Sequence, residues 1–167
     1  MSASMNLATV DDVKAYLRLT GNDQDTVIEG LIHEASEVIE NSCGREFKQK
    51  ERTEYYDGRG SAWLVVNERP VSSIMEVYDQ DSVITFGPLN YTFYPDDGII
   101  RLLVGRFQPG SRNVRVRYTA GYATIPPDLA QACIILVSSW FTGESRDKED
   151  SLPSTVERLL SPYKNWK

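Results

Sequence analysis

A single histidine, His33, and two cysteines, Cys43 and Cys133, leave little for the metal sites and acid–base constellations that are built on those side chains. Two cysteines are too few for a disulfide scaffold. The longest uninterrupted apolar run, Ala132 to Val137, falls far short of the roughly 20 residues of a membrane-spanning helix. Met1 to Leu7 has no basic residue and no apolar core, so it does not read as a signal peptide, and cytosolic synthesis is expected. Met1 and Met5 both remain candidate starts. Positive charge is also short: 18 Lys+Arg stand against 24 Asp+Glu, a formal charge of −6. That balance argues against holding nucleic acid through bulk positive charge.

What is present is enough for one compact domain. The chain has 167 residues, 41% of them hydrophobic, which excludes a disordered protein. The charge is uneven. Residues 1–50 hold 9 acids and 5 bases, net −4. Residues 51–119 hold 9 and 8, and all eight bases are arginine. Residues 120–167 hold 6 and 5.

Hydrophobic periodicity predicts helices, then strands, then helices. Thr9 is a natural N-cap, with Asp11 and Asp12 where the helix dipole favours negative charge. Val10, Val13, Tyr16 and Leu17 follow at helical spacing, and Gly21-Asn22 ends the segment. A second helix is expected from Asp25 to Cys43, with Ile28, Leu31, Ile32, Ala35, Val38, Ile39 and Cys43 as one apolar stripe and Gly44 as its C-terminal cap. From Glu51 the period changes to two. Strands are expected at 71–78 and 113–118, and shorter ones at 52–56, 62–66, 82–86, 91–94 and 99–103. Asp57-Gly58-Arg59-Gly60, Gly87-Pro88, Pro95-Asp96-Asp97-Gly98 and Pro109-Gly110 supply the turns. Helical spacing returns after Pro126-Pro127-Asp128 and runs to Thr142. Residues 143–152 read as a polar, mobile loop, and a short helix from Pro153 to Leu160 stops at Pro162.

The expected fold class is therefore α+β: a bundle of about four helices, two N-terminal and two C-terminal, with an inserted antiparallel β segment. The expected organisation is one domain over 1–167, with N-terminal helices in 7–44, the β segment in 51–119 and C-terminal helices in 125–162.

The helix ending at Thr142 is the most informative local feature. Gln131, Ser138 and Thr142 share a narrow polar strip, and nearly everything else on the wheel is apolar. The apolar arc is roughly 200° wide, about twice that of an ordinary surface helix. Such a helix is either the centre of the core or is buried against another chain. On the second reading Ile135, Trp140 and Phe141 are candidate interface residues. Tyr163 and Trp166, aromatics without periodic partners, either fold back on the domain or anchor in a neighbour's pocket.

No motif carries catalysis. His33 has no second His or Cys at helical spacing, and both cysteines lie on apolar helix faces, so all three read as structural. Asp57-Gly58-Arg59-Gly60 lacks the Lys-Ser/Thr of a phosphate loop, and Asp96-Asp97-Gly98 lacks the further ligands of a calcium loop. No catalytic residue, metal site or cofactor is expected. Arg115 and Arg117 share a strand face with Arg112 nearby, and with Arg101 and Arg106 they are expected to form a basic strip that meets solvent, DNA phosphates or an acidic partner.

The order of these segments resembles the head–tail connector, or head completion, proteins of tailed bacteriophages. The resemblance is carried by Thr9-Val10-Asp11-Asp12-Val13-Lys14-Ala15-Tyr16-Leu17 and by Asp25 to Ile32 with its helix ending near Cys43-Gly44-Arg45. Arg69-Pro70-Val71, Val114 to Tyr122, Ile125-Pro126-Pro127-Asp128-Leu129, and Leu152-Pro153 through Pro162-Tyr163 continue it. The resemblance implies a structural virion protein and not an enzyme. It implies a ring of identical subunits below the portal, a docking surface for the tail or stopper protein, and DNA only as non-specific cargo of the channel. Its expected place is the head–tail junction of a virion assembled in the host bacterial cytoplasm, with no membrane contact. The competing expectations are a small non-catalytic interaction module of another assembly and an enzyme with an unrecognised site.

Overall fold

The computed structural model describes residues 6–80, 82–84, 90–143 and 152–164. The chain divides into two compact units, Met1–Phe47 with Thr124–Lys167, and Lys48–Ala123.

The first unit is helical, with α1 (Val10–Leu17), α2 (Asp25–Cys43), α3 (Pro127–Thr142) and α4 (Ser154–Leu160), followed by a 3-10 turn at Ser161–Tyr163. Thr9 and Asp12 form a reciprocal capping box: Thr9 Oγ1 accepts the Asp12 N–H at 3.2 Å, and Asp12 Oδ2 accepts the Thr9 N–H at 3.2 Å. Lys14 Nζ bridges to Asp25 Oδ1 at 2.8 Å and to Asn22 Oδ1 at 3.0 Å, tying α1 to the start of α2. The Asp25–Cys43 helix and its Gly44 cap lie where the apolar stripe predicts them.

Helix α3 packs against α1, α2 and α4, so it is the centre of the helical unit. Leu129, Ala132, Cys133, Leu136 and Val137 of α3 are buried, as are Ile28, Ile32, Ala35 and Ile39 of α2 and Val156 and Leu160 of α4, the two helices α3 contacts most. Burying one such aliphatic side chain contributes about 1.5–3 kcal/mol before the entropy of ordering it. The two buried hydroxyls have partners. Ser36 Oγ donates to Ile32 O and accepts the Leu7 N–H, and Ser138 Oγ donates to Ile134 O.

The second unit holds β1 (Lys50–Gly58), β2 (Trp63–Val65), β3 (Val71–Asp79), β4 (Ser82–Val83), β5 (Tyr91–Tyr94), β6 (Ile99–Leu102) and β7 (Gly110–Ala120). These pair antiparallel into a four-stranded sheet, β1-β7-β3-β4, and a three-stranded sheet, β2-β6-β5. Inward residues of both sheets share one core: Val71, Val77, Val114, Val116 and Tyr118 from the first, Leu64, Ile100 and Leu102 from the second, with Phe107.

This corrects the expected architecture. The protein is α+β, but the sheets are a major part of it and not a segment inserted into a helical bundle. The physical reason is that the strands bury an apolar core of their own, closed by two sheets, and need no helix face to cover them. Of the strand expected at 82–86, residues 82–83 are strand and 85–86 lie outside the described residues. So does most of the loop expected at 143–152.

Two glycines allow the strands to close. At Gly121, φ is +106° and a Cβ would stand 2.4 Å from Lys48 O. At Gly58 a Cβ would meet Gln108 O at 1.8 Å.

Candidate functional site

Of the expected basic strip, Arg112, Arg115 and Arg117 lie on β7 of the four-stranded sheet, where they are engaged, while Arg101 lies on β6 of the other sheet and Arg106 outside the strands. Tyr55, Arg115 and Tyr78 lie in register across β1, β7 and β3, as do Thr53, Arg117 and Glu76. The Arg117 guanidinium is bonded by Glu51 and lies 3.7 Å from Glu76. Its pKa is raised, first by the hydrogen bond to Glu51. Arg115 stacks over the Tyr78 ring at 4.0 Å and Arg112 over Tyr55 at 5.4 Å. This face is thus a mosaic of paired charges and aromatic rings.

The candidate interface residues of the helical unit are half-buried. Ile135, Trp140 and Phe141 lie on α3, outside its fully buried set. Tyr163 folds back: its ring meets Phe47 edge-on, 5.9 Å between centroids at 89°. Arg45 stacks over the same Phe47 ring at 5.5 Å. Trp166 lies outside the described residues.

Catalytic chemistry finds little support in the geometry. Cys43 and Cys133 are buried free thiols. Burial pushes the Cys133 thiol up to about 11, and Cys43 is raised by burial too. His33 is exposed, 3.8 Å from Glu37 one turn on. Among the described residues no group of three His, Cys, Asp or Glu side chains could hold a metal ion, and no helix is long and apolar enough to cross a membrane. An open cavity of about 470 Å³ borders β3 and β6. The carboxylate in its lining, Asp79, is occupied by the Gln108 N–H at 2.8 Å and the Asn113 amide at 3.3 Å.

A surface that sequence reasoning missed lies on the three-stranded sheet. Register places Trp63 opposite Arg101, and Val65 and Tyr94 on either side of Ile99. Trp63, Val65 and Tyr94 are exposed, while Leu64 and Ile100 between them point into the core. Trp63 and Tyr94 are stacked at 6.2 Å, and Arg101 lies 4.7 Å over the Trp63 ring. The alternation in Trp63-Leu64-Val65 was the only local signal, and three residues are too few to decide which face meets solvent.

Comparison with known proteins adds the fold and the family. No curated protein sequence matches the chain. Among solved structures, a chain from the neck of an empty gene transfer agent (GTA) particle, computed with C6 symmetry, is similar with a TM-score of 0.68 and 20% identity. A chain from the neck of the native GTA particle, computed with C12 symmetry, gives 0.65 and 18%. A chain of the native GTA virion gives 0.63 and 19%. Each likeness covers 100% of this chain and 94% of the other. At such identities they establish a shared fold, and the family comes from the sequence itself: the model of the head completion protein family matches residues 6–166, and the chain belongs to that family.

Proposed function

We propose that this chain is a structural subunit of a phage-like head–tail junction, assembling with copies of itself into a ring below the portal. The observation that carries the reading is membership of the head completion family across residues 6–166. The fold shared with neck chains of GTA particles supports it, since those necks were computed with C6 and C12 symmetry. A protein of exposed aromatic and paired-charge faces, with its thiols buried, suits assembly better than turnover.

In this reading the ring extends the DNA exit channel and docks a tail or stopper protein. The half-buried residues Ile135, Trp140, Phe141 and Tyr163 are the portal or tail contacts, with Trp166 close to Tyr163 in sequence. The arginines Arg112, Arg115 and Arg117 meet DNA only as passing cargo, because Glu51 and Glu76 already compensate Arg117 and a net charge of −6 disfavours retention of the duplex.

The test is electron microscopy of the purified chain mixed with the portal ring of the same particle. Added density coaxial with the portal is expected. Failure to co-sediment with both the portal and the tail protein would overturn the proposal. Monomeric behaviour of the chain alone would not, because a portal template lowers the entropy of bringing subunits together.

A further inference from the structure

Five large apolar side chains stay exposed on or beside one sheet of the strand unit: Trp63, Val65, Tyr94, Leu103 and Val104. At the centre of this face lies a cation. Arg101 covers the Trp63 ring and has no carboxylate partner among the described residues. A surface of this kind fits an apolar partner surface that carries acid.

The chain owns such a surface. On α2, Val27, Gly30, Glu34 and Glu37 recur at i, i+3, i+7 and i+10 and form one exposed stripe. Val27 is 53% exposed, although the rest of the aliphatic residues of α2 are buried or half-buried. Gly30 is harder to explain within one molecule. A glycine in mid-helix weakens the helix, yet a Cβ there would meet nothing within 4 Å and no positive φ requires its absence. A missing side chain on an exposed stripe is explained by something flat that approaches it closely.

We infer that the Trp63–Tyr94–Arg101 face of one copy docks on the Val27–Gly30–Glu34 stripe of the next copy. The Trp63 ring lies on the flat at Gly30, Val65 and Tyr94 cover Val27, and Arg101 pairs with Glu34 or Glu37. The charges agree, since residues 1–50 carry 9 acids and 5 bases. The contact joins two different surfaces, the kind of contact from which a ring of more than two copies is built, whereas a self-complementary contact stops at a pair. The inference rests on the ring reading above and names its interface.

Two full-length preparations test it, one carrying Val65→Cys and one Val27→Cys. The native thiols are buried and do not interfere. Mixed with portal and oxidised, they should give an intermolecular disulfide that neither preparation gives alone. Gly30→Gln should keep or raise the melting temperature, because glutamine is the better helix former, yet raise the concentration needed for ring assembly by at least about tenfold. Arg101→Glu should do the same to assembly, and Glu34→Lys in the same chain should recover it. Rings that form normally from Gly30→Gln and Arg101→Glu, with no cross-link, overturn this interface and leave the ring reading standing. Variants that form rings but lose the tail or portal protein overturn it in favour of another occupant. If no ring forms under any condition, both readings fail.

Discussion

The Tyr118 phenol, fully buried on the central strand β7, donates its proton to Glu54 Oε2 of the neighbouring strand β1 at 2.7 Å. The same oxygen accepts the Tyr56 hydroxyl and the Asn67 side-chain amide. The two phenol oxygens in turn accept the Asn67 and Glu68 backbone N–H groups at 3.1 and 3.3 Å. A carboxylate at the edge of an apolar core is thereby satisfied, and the segment after β2 is tied to both strands. Tyr118→Phe should cost about 1.5–3 kcal/mol, the range for a hydrogen bond to a charged group. Urea unfolding checks this, and an unchanged midpoint would show that the bond contributes nothing net.

The same cluster sets a limit at alkaline pH. Burial foremost, then the hydrogen bond to Glu54, raises the pKa of both Tyr56 and Tyr118 above the ordinary tyrosine value. Burial raises Tyr91 as well. The folded state therefore favours the neutral phenols. That stabilisation is fully present below about pH 10, where unfolded tyrosine ionises, and is lost as pH rises through the higher folded values. Unfolding midpoints should hold between about pH 7 and 9 and fall above about 10. Tyr118→Phe should flatten the fall. Of the nine tyrosines, Tyr56 and Tyr118 should form tyrosinate only on unfolding. Spectroscopic titration of all nine near pH 10 in the folded protein would contradict the cluster.

Gly121→Ala should destabilise the strand unit by more than about 1 kcal/mol, because an alanine there meets both a positive φ and a backbone oxygen that cannot move aside. The Gly121 N–H is also bonded to Pro70 O at 2.9 Å, which fixes the position. Thermal melting followed at the aromatic signals reads the loss. An unshifted midpoint would mean that the strand ends relax.

The helices and the positions of the strands were legible in the sequence, but the pairing of those strands into two sheets around a core of their own was not, for one physical reason. Thr9, Asp12 and Gly44 act within one helical turn of the end they cap, so the signal is local. The partners of β7 lie far away in the chain, with Lys50 opposite Ala120 and Val71 opposite the same residue. Whether Arg117 is free for a phosphate depends on Glu51, 66 positions away. Trp63 could be read as core or surface until its pairing with Arg101 was known. The wide apolar arc of α3 was read correctly as an anomaly. Of its two explanations, the centre of the core or burial against another chain, packing by α1, α2 and α4 at once supports the first, and that packing is a tertiary fact.

Both thiols should be silent in the folded protein. Burial raises the pKa of each, opposed at Cys133 by Ser36 and at Cys43 by Lys164 and Arg45, so little reactive thiolate exists at neutral pH. A disulfide reagent at about pH 8 should modify neither until denaturant is added, and then both. Rapid labelling of either one in the native state would show that its helix opens.

Asn113 joins three segments at one end of the strand unit. Its Oδ1 accepts the Gly58 N–H at 2.8 Å, and its Nδ2 donates to Gln108 O at 2.8 Å and Asp79 Oδ1 at 3.3 Å. Its own carbonyl accepts the Gln80 N–H at 3.0 Å. Alanine removes the three side-chain bonds but leaves the carbonyl, so Asn113→Ala should cost about 1–3 kcal/mol through polar groups left unpaired. Asn113→Asp keeps the acceptor for Gly58, loses both donors and sets a second carboxylate against Asp79. It should therefore be the less stable of the two at pH 7, because like charges held close repel and one must stay ionised beside the other. Protonating either carboxylate relieves this and restores a donor. The gap between the two variants should thus narrow as the pH falls toward about 4, where carboxylates ordinarily titrate. Urea midpoints of both variants at pH 7 and pH 4 decide it. A gap that does not depend on pH would mean that the amide acts through shape alone and that Asp79 feels no charge at position 113.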